Sequence, residues 1–181
     1  MKRTISFFWE TGKVVIFALA IVIPIRMFVF QPFLVRGESM EPNFHQGDYL
    51  VIDELSFRFR DPERGEVIVL KFPGDTSQRY IKRIIGLPGE TVQVKDGQVA
   101  LEKNGEEIVL NESWYLPLNL HTPGNTDITL KENEYFMLGD NRAFSSDSRQ
   151  WGVLERNLIV GRVLVRLFPP KALAKIQEPS Y

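Results

Sequence analysis

Cysteine is absent from all 181 residues. That excludes disulfides, thiolate metal sites and a cysteine nucleophile, and leaves the redox compartment open. Histidine is nearly as scarce, with only His45 and His121 available for imidazole chemistry. Nor is either sign of charge in surplus, with 22 Lys and Arg against 23 Asp and Glu. A net charge of -1 gives no global pull toward nucleic acid, and no nucleic-acid partner is expected. Catalysis, if present, must run on oxygen or nitrogen groups. The length suits one compact domain with room for a small inserted lobe.

What the chain has in excess is one apolar stretch. From Val14 to Phe30 every residue except Pro24 and Arg26 is apolar, and Phe7, Phe8, Trp9 and Phe33 extend the zone at both ends. A helix over that stretch is roughly 25 Å long at 1.5 Å per residue, close to a hydrocarbon core of about 30 Å. A cleaved secretory signal would need small residues just after the stretch. The exit instead reads Phe30-Gln31-Pro32-Phe33-Leu34-Val35-Arg36, and Ala18 and Ala20 lie in the middle of the run. The segment therefore reads as an uncleaved anchor. Lys2, Arg3 and Lys13 on the short N-terminal side favour a cytoplasmic tail over residues 1–13. A transmembrane anchor over 14–33 then places Leu34–Tyr181 on the outer face.

Beyond Val35 short β-branched and aromatic runs alternate with Gly, Pro, Asp and Asn, the pattern of a mainly β domain. Strands are expected at Tyr49–Ile52, Val67–Phe72, Tyr80–Ile85, Thr91–Val94, Gln98–Leu101, Glu107–Leu110, Tyr135–Leu138 and Leu158–Leu167. Asp96-Gly97 and Asn104-Gly105 supply residues tolerant of positive φ between alternating runs, so Thr91–Leu110 reads as a meander. Asn111–Asn125 reads as an irregular connection. The expected fold is an antiparallel β catalytic core over 34–90 and 134–181, with residues 91–133 inserted as a small β lobe.

Three segments carry candidate chemistry. Gly37-Glu38-Ser39-Met40-Glu41-Pro42 places a serine in a turn-prone segment just past the anchor. A serine hydroxyl needs a base to become a nucleophile, and alone this segment is equally a turn or cap. Neither His45 nor His121 adjoins a strand end that would hold it rigidly. Lysine also serves as base in this chemistry. In Tyr80-Ile81-Lys82-Arg83-Ile84-Ile85, alternation puts Lys82 on one face with Tyr80 and Ile84, and Arg83 on the other. Apolar neighbours can lower a lysine's pKa by desolvation, although a strand lysine can equally reach solvent along an edge. The third segment, Gly139 to Gly152, is dense in Asp, Asn, Ser and Arg, as in a loop tied by its own side chains.

Taken together and in order, these segments resemble the type I signal peptidases. The resemblance runs through the anchor, Ser39-Met40-x-Pro42, Gly47-Asp48, Arg79-Tyr80-Ile81-Lys82-Arg83 with Gly86-Leu87-Pro88-Gly89, and Gly139-Asp140-Asn141-Arg142 through Ser145, Asp147, Ser148 and Arg149. It implies a membrane-anchored serine endopeptidase that removes signal peptides from exported preproteins at the cell or thylakoid membrane, beside a secretion translocon, with no cofactor and no metal. It implies Ser39 as nucleophile, Lys82 as general base and Ser145 as the serine that orients that lysine. Asp147 is implied to pair with both Arg83 and Arg149. Phe33, Val35, Met40, Phe44, Leu50, Tyr80 and Ile81 are implied to line shallow pockets for small side chains before the cut. Two features depart from many relatives: Gly37 stands where some carry an oxyanion-binding serine, and Ala143-Phe144 stands where acidic or amide residues are frequent. A Ser-Lys protease of another role, such as a self-cleaving repressor, needs no anchor. An inactive membrane-tethered homologue would need neither Ser39 nor Lys82.

Overall fold

In a computed structural model of the chain, the structure describes residues 9–20, 30–118, 120–168 and 174–175. A helix, α1, covers residues 9–20, starting inside the expected cytoplasmic tail. Among the described residues no helix is long and apolar enough to cross a membrane. Residues 21–29, the remainder of the expected anchor up to Phe30, lie outside the described residues. The anchor's expected end at residue 33 is corrected, because Phe30–Leu34 forms strand β1. Pro32 is tolerated there because β1 is an edge strand paired only to β2 (Tyr49–Asp53).

Two antiparallel sheets follow. The larger runs β1, β2, β11 (Ile159–Phe168), β3 (Val67–Phe72), β4 (Asp75–Gly86), β9 (Glu134–Leu138), β10 (Leu154–Glu155), with β12 (Ala174–Lys175) added to β11. The smaller runs β7 (Glu106–Val109), β6 (Gln98–Lys103), β5 (Thr91–Lys95), β8 (Thr126–Thr129). The expected hairpins form at Asp96-Gly97 and Asn104-Gly105, where all four residues adopt positive φ. That is the two-residue turn whose twist matches the strands it joins.

β3 shows why this sheet is buried on both sides. Val67 and Val69 enter one apolar cluster with Val35, Met40, Phe44, Leu50 and Ile81. Ile68 and Leu70 enter another with Ile84, Tyr135, Met137 and Leu154. The small sheet is not independent of this frame: Val92, Val94, Val99 and Leu101 pack with Ile85, Phe136 and Leu138 of the large one. Each such side chain contributes roughly 1.5–3 kcal/mol by leaving water.

The register of β4 positions the site. Its partner β3 pairs with it from Asp75 through Arg83, but β9 pairs only with Arg83, Ile84 and Gly86. On the β9 side, the stretch before Arg83 therefore has no strand beside it. β1 likewise has one open edge, and both edges border the same groove.

Candidate active site

Ser39 stands in a compact turn whose Glu41, Asn43 and Phe44 amides donate to Glu38 and Met40 carbonyls at 2.9–3.1 Å. Met40 and Phe44 fix that turn by burying their side chains in the core beneath it. The half-buried hydroxyl of Ser39 lies 2.8 Å from Lys82 Nζ. Nζ also donates to the Ile81 carbonyl at 3.0 Å and sits 5.3 Å from the Tyr80 ring centre. Lys82 is only 3% exposed. Burial lowers its pKa from 10.5 to about 8, against the opposing pull of the Asp147 and Asp140 carboxylates. His45 and His121 are exposed in loops, and neither is hydrogen-bonded to Ser39.

The 139–147 loop leaves the end of β9 and folds over this pair. Asn141 ties it to the nucleophile: its amide donates to the Ser39 carbonyl and its Nδ2 to the Glu38 carbonyl, each at 3.1 Å. Gly139 lies so close that a Cβ there would fall 2.4 Å from the Ser39 carbonyl oxygen and 2.1 Å from Ser145 Oγ.

The ion pairs differ from the expected set in one respect. Asp147 does pair with Arg149, accepting from Nε at 2.8 Å and Nη2 at 2.7 Å, and it also accepts from the Gly139 amide. Arg83, however, is held by Asp140, through Nε–Oδ1 at 2.8 Å and Nη2–Oδ2 at 2.6 Å. The β4–β9 register explains this, since Arg83 pairs with Leu138 and the chain continues directly into Gly139-Asp140. Asp147 lies further on, where its side chain caps the short helix α2 (Ser148–Trp151). A second correction concerns Ser145. Its buried Oγ has no hydrogen-bond partner among the described residues, so the expected hydrogen bond to Lys82 is not formed.

Asp140, Asn141 and Arg142 were visible in the sequence only as loop-fixing residues. Asn43, which donates Nδ2 to Asp140 and to the Tyr115 carbonyl at 2.8 Å, offered no signal, because its partners are 97 and 72 residues away.

The seven expected pocket residues divide into two sets. Phe33, Tyr80 and Ile81 line an open groove of about 710 Å³ that also contains Ser39, Lys82 and Phe144. Val35, Met40, Phe44 and Leu50 are buried and form the layer beneath it. Phe144 is 80% exposed at the groove. A second cleft of similar size, near Glu54, Arg58 and Glu155, is lined by no serine, threonine or lysine.

A hydroxyl against a buried, weakly basic lysine, at the edge of a groove flanked by open strands, is the arrangement of a serine hydrolase that works on extended chains. The family described as "Signal peptidase, peptidase S26" matches residues 8–168. A signal peptidase I of Bacillus amyloliquefaciens is 37% identical over 93% of this chain and 90% of its own length. Signal peptidase I T of Bacillus subtilis (strain 168) is 33% identical over 93% of this chain and 89% of its own length. A solved structure of a signal peptidase I from Enterococcus faecalis V583 is 30% identical, covers 57% of this chain and 97% of that one, and superposes with a TM-score of 0.47. The chain belongs to the signal peptidase family and is a serine endopeptidase.

Proposed function

We propose that this protein removes signal peptides from exported preproteins at a membrane surface, with Ser39 as nucleophile and Lys82 as its base. The observation that carries the assignment is the 2.8 Å contact between Ser39 Oγ and a Lys82 Nζ that is buried and shifted to a pKa of about 8. An ordinary lysine is almost wholly charged near neutrality, and the downward shift makes the neutral base more accessible by about 3 kcal/mol. Neutral Nζ accepts the Ser39 proton as Oγ attacks the scissile carbonyl. The Ser39 backbone N–H, which has no acceptor among the described residues, is assigned to stabilise the developing oxyanion. Gly37, at φ 84°, leaves open space there. Nζ–H then gives the proton to the leaving amine, which departs as the new N-terminus. Lys82 Nζ next deprotonates a water that attacks the acyl carbonyl, and returns that proton to Ser39 Oγ as the acyl group is released.

The open edges of β1 and β4 suit a substrate that enters as an additional strand. In a strand, the last residue before the cut and the third before it point to the same face. That face meets the floor of Ile81 backed by Met40 and Leu50, which suits alanine at both positions. Ser145 is assigned as a positioning residue for Lys82 and meets it once substrate is bound. Asp147 with Arg149, and Asp140 with Arg83, hold the loop over the dyad. The exposed apolar side chains of α1, among them Val14, Ile16 and Phe17, support an anchor, and Lys2, Arg3 and Lys13 on its N-terminal side support a cytoplasmic N-terminus with the β domain on the outer face. There the preprotein and the translocon would be its partners.

The test is to incubate the detergent-solubilised protein with a preprotein whose signal ends in Ala-x-Ala and to sequence the product's N-terminus. A new terminus directly after the second alanine is expected. Equal cleavage when phenylalanine replaces that alanine would sink the pocket assignment, because a large ring must clash with the floor. For topology, protease added outside intact cells should reach Leu34–Tyr181; protection of that region there would reverse the orientation.

A further inference from the structure

The connection between β7 and β8, described over residues 110–118 and 120–125, contains no strand among those residues, and a connection of that length needs a reason to hold its path. Here the reason is the active-site loop. Glu112 accepts from Arg142 Nη1 at 2.7 Å and Nη2 at 2.5 Å. Thr122 Oγ1 accepts from Nη1 at 2.7 Å, and the Tyr115 hydroxyl accepts from Nη2 at 2.9 Å while donating to Glu112. Pro123 contributes its carbonyl to Arg149 at 2.9 Å. Arg142, 2% exposed, passes this fixation on, since its Nε donates to the Gly139 carbonyl at 3.1 Å. Gly139 touches the Ser39 backbone, and the neighbouring Asn141 is bonded to it.

We infer that Glu112 is a positioning residue for the reaction: through Arg142 it keeps the 139–147 loop closed over Lys82 and seated on the backbone of Ser39. The inference rests on the Ser39–Lys82 assignment above. Glu112 itself does not line the groove, so its action is indirect. Packed backbones transmit a displacement rather than absorb it. Without the carboxylate, the buried guanidinium loses its counter-charge and is drawn toward water, which lifts the loop. Water then reaches Lys82, whose low basicity depends on dryness. The charged groups facing Lys82 are Asp140 and Asp147 from the loop, with Arg36, Glu38 and Arg79 around the groove. Those facing Glu112 are Arg142 and the Tyr115 hydroxyl.

The experiment uses the full chain in detergent and follows cleavage of the Ala-x-Ala preprotein as a function of pH. Glu112→Gln should lower kcat by about 10- to 100-fold with KM little changed, the scale of a displaced catalytic group. The midpoint of its pH–rate profile should move upward from near 8 toward the ordinary lysine range. Glu112→Asp should restore part of the rate and return the midpoint toward its original value. If circular dichroism shows that Glu112→Gln does not fold, Thr122→Val removes one bond to Arg142 at nearly constant volume and should move the midpoint the same way. A folded variant whose midpoint is unchanged or lowered overturns the inference, whatever its rate. An unmodified chain that cuts no preprotein fails differently, by overturning the functional assignment itself.

Discussion

Lys82 and Arg83 are consecutive residues of β4, each 3% exposed, yet their two faces of the strand treat a positive charge in opposite ways. On the Arg83 face, Asp140 meets the guanidinium with two parallel hydrogen bonds and the Gly65 carbonyl takes a third. On the Lys82 face no carboxylate among the described residues is hydrogen-bonded to the ammonium. Its hydrogen bonds go to a serine hydroxyl and a carbonyl, while Asp140 and Asp147 act only through space. A buried charge that is fully paired supports structure, and one left without a partner becomes a base. The same strand therefore makes a strut and a reagent by supplying a counter-ion to one side only.

The contrast is broken most completely at the dyad. Ser39→Ala and Lys82→Ala should each cut activity by on the order of 10⁴-fold or more, and the double variant should be hardly worse than either, because the two act as a unit. His45→Ala and His121→Ala should leave the rate unchanged. A rate profile rising with a midpoint near 6.5, or an active Lys82→Ala enzyme, would falsify the lysine-base mechanism.

Removing the counter-ion from the Arg83 face comes next. Asp140→Asn should destabilise the fold by about 3–5 kcal/mol, read from urea melts, because it strands a buried guanidinium. Replacing both partners, as Arg83→Met with Asp140→Leu, should recover much of that loss; a double variant as unstable as the single one would contradict the account.

Lys82→Met should do the reverse and stabilise the protein by up to about 3 kcal/mol at neutral pH. The sign follows from the lowered folded-state value. Between about 8 and 10.5 the unfolded chain holds more protons than the folded one, so wild-type stability rises with pH across that window. The advantage of the variant should be full below pH 8 and fade by 10.5. A difference that does not change with pH would mean that packing, not charge, separates the two proteins.

The smallest effect is expected at Ser145. Ser145→Ala removes a buried hydroxyl that has no hydrogen-bond partner among the described residues, so stability should hold or rise slightly, while the rate should fall by about 10- to 100-fold through a less well oriented lysine. A full rate would remove Ser145 from the mechanism.

Much of this was legible in the sequence because its signals are local. A β-branched run bounded by Gly65 and Pro73 marked Val67–Phe72 with the ends it has in the structure, and the Asp-Gly and Asn-Gly pairs marked two hairpins. Lys82 could be picked out by its apolar neighbours on one strand face. What was not legible depends on pairing at a distance. The first four residues of β1 were absorbed into the anchor because Phe30 closes the apolar run and Phe33 extends it, and an edge strand also tolerates such residues and the Pro32 between them. Asp140 and Asp147 lie in one loop, and only the β4–β9 register decides which of them meets Arg83. Glu112 and Arg142 are 30 residues apart, and nothing local to either announces the other.

The unpaired stretch of β4 before Arg83 also bears on what the enzyme leaves alone. A polypeptide can lie along that seam only if its own amides and carbonyls are free. Chain already committed to a helix or sheet cannot offer them, so a folded cargo is refused before any side chain is inspected. A proline on the seam-facing side of the incoming segment is refused for the same reason, having no N–H to offer. On the proposed strand-addition reading, the missing strand thus acts as a test of foldedness, passed only by an extended segment.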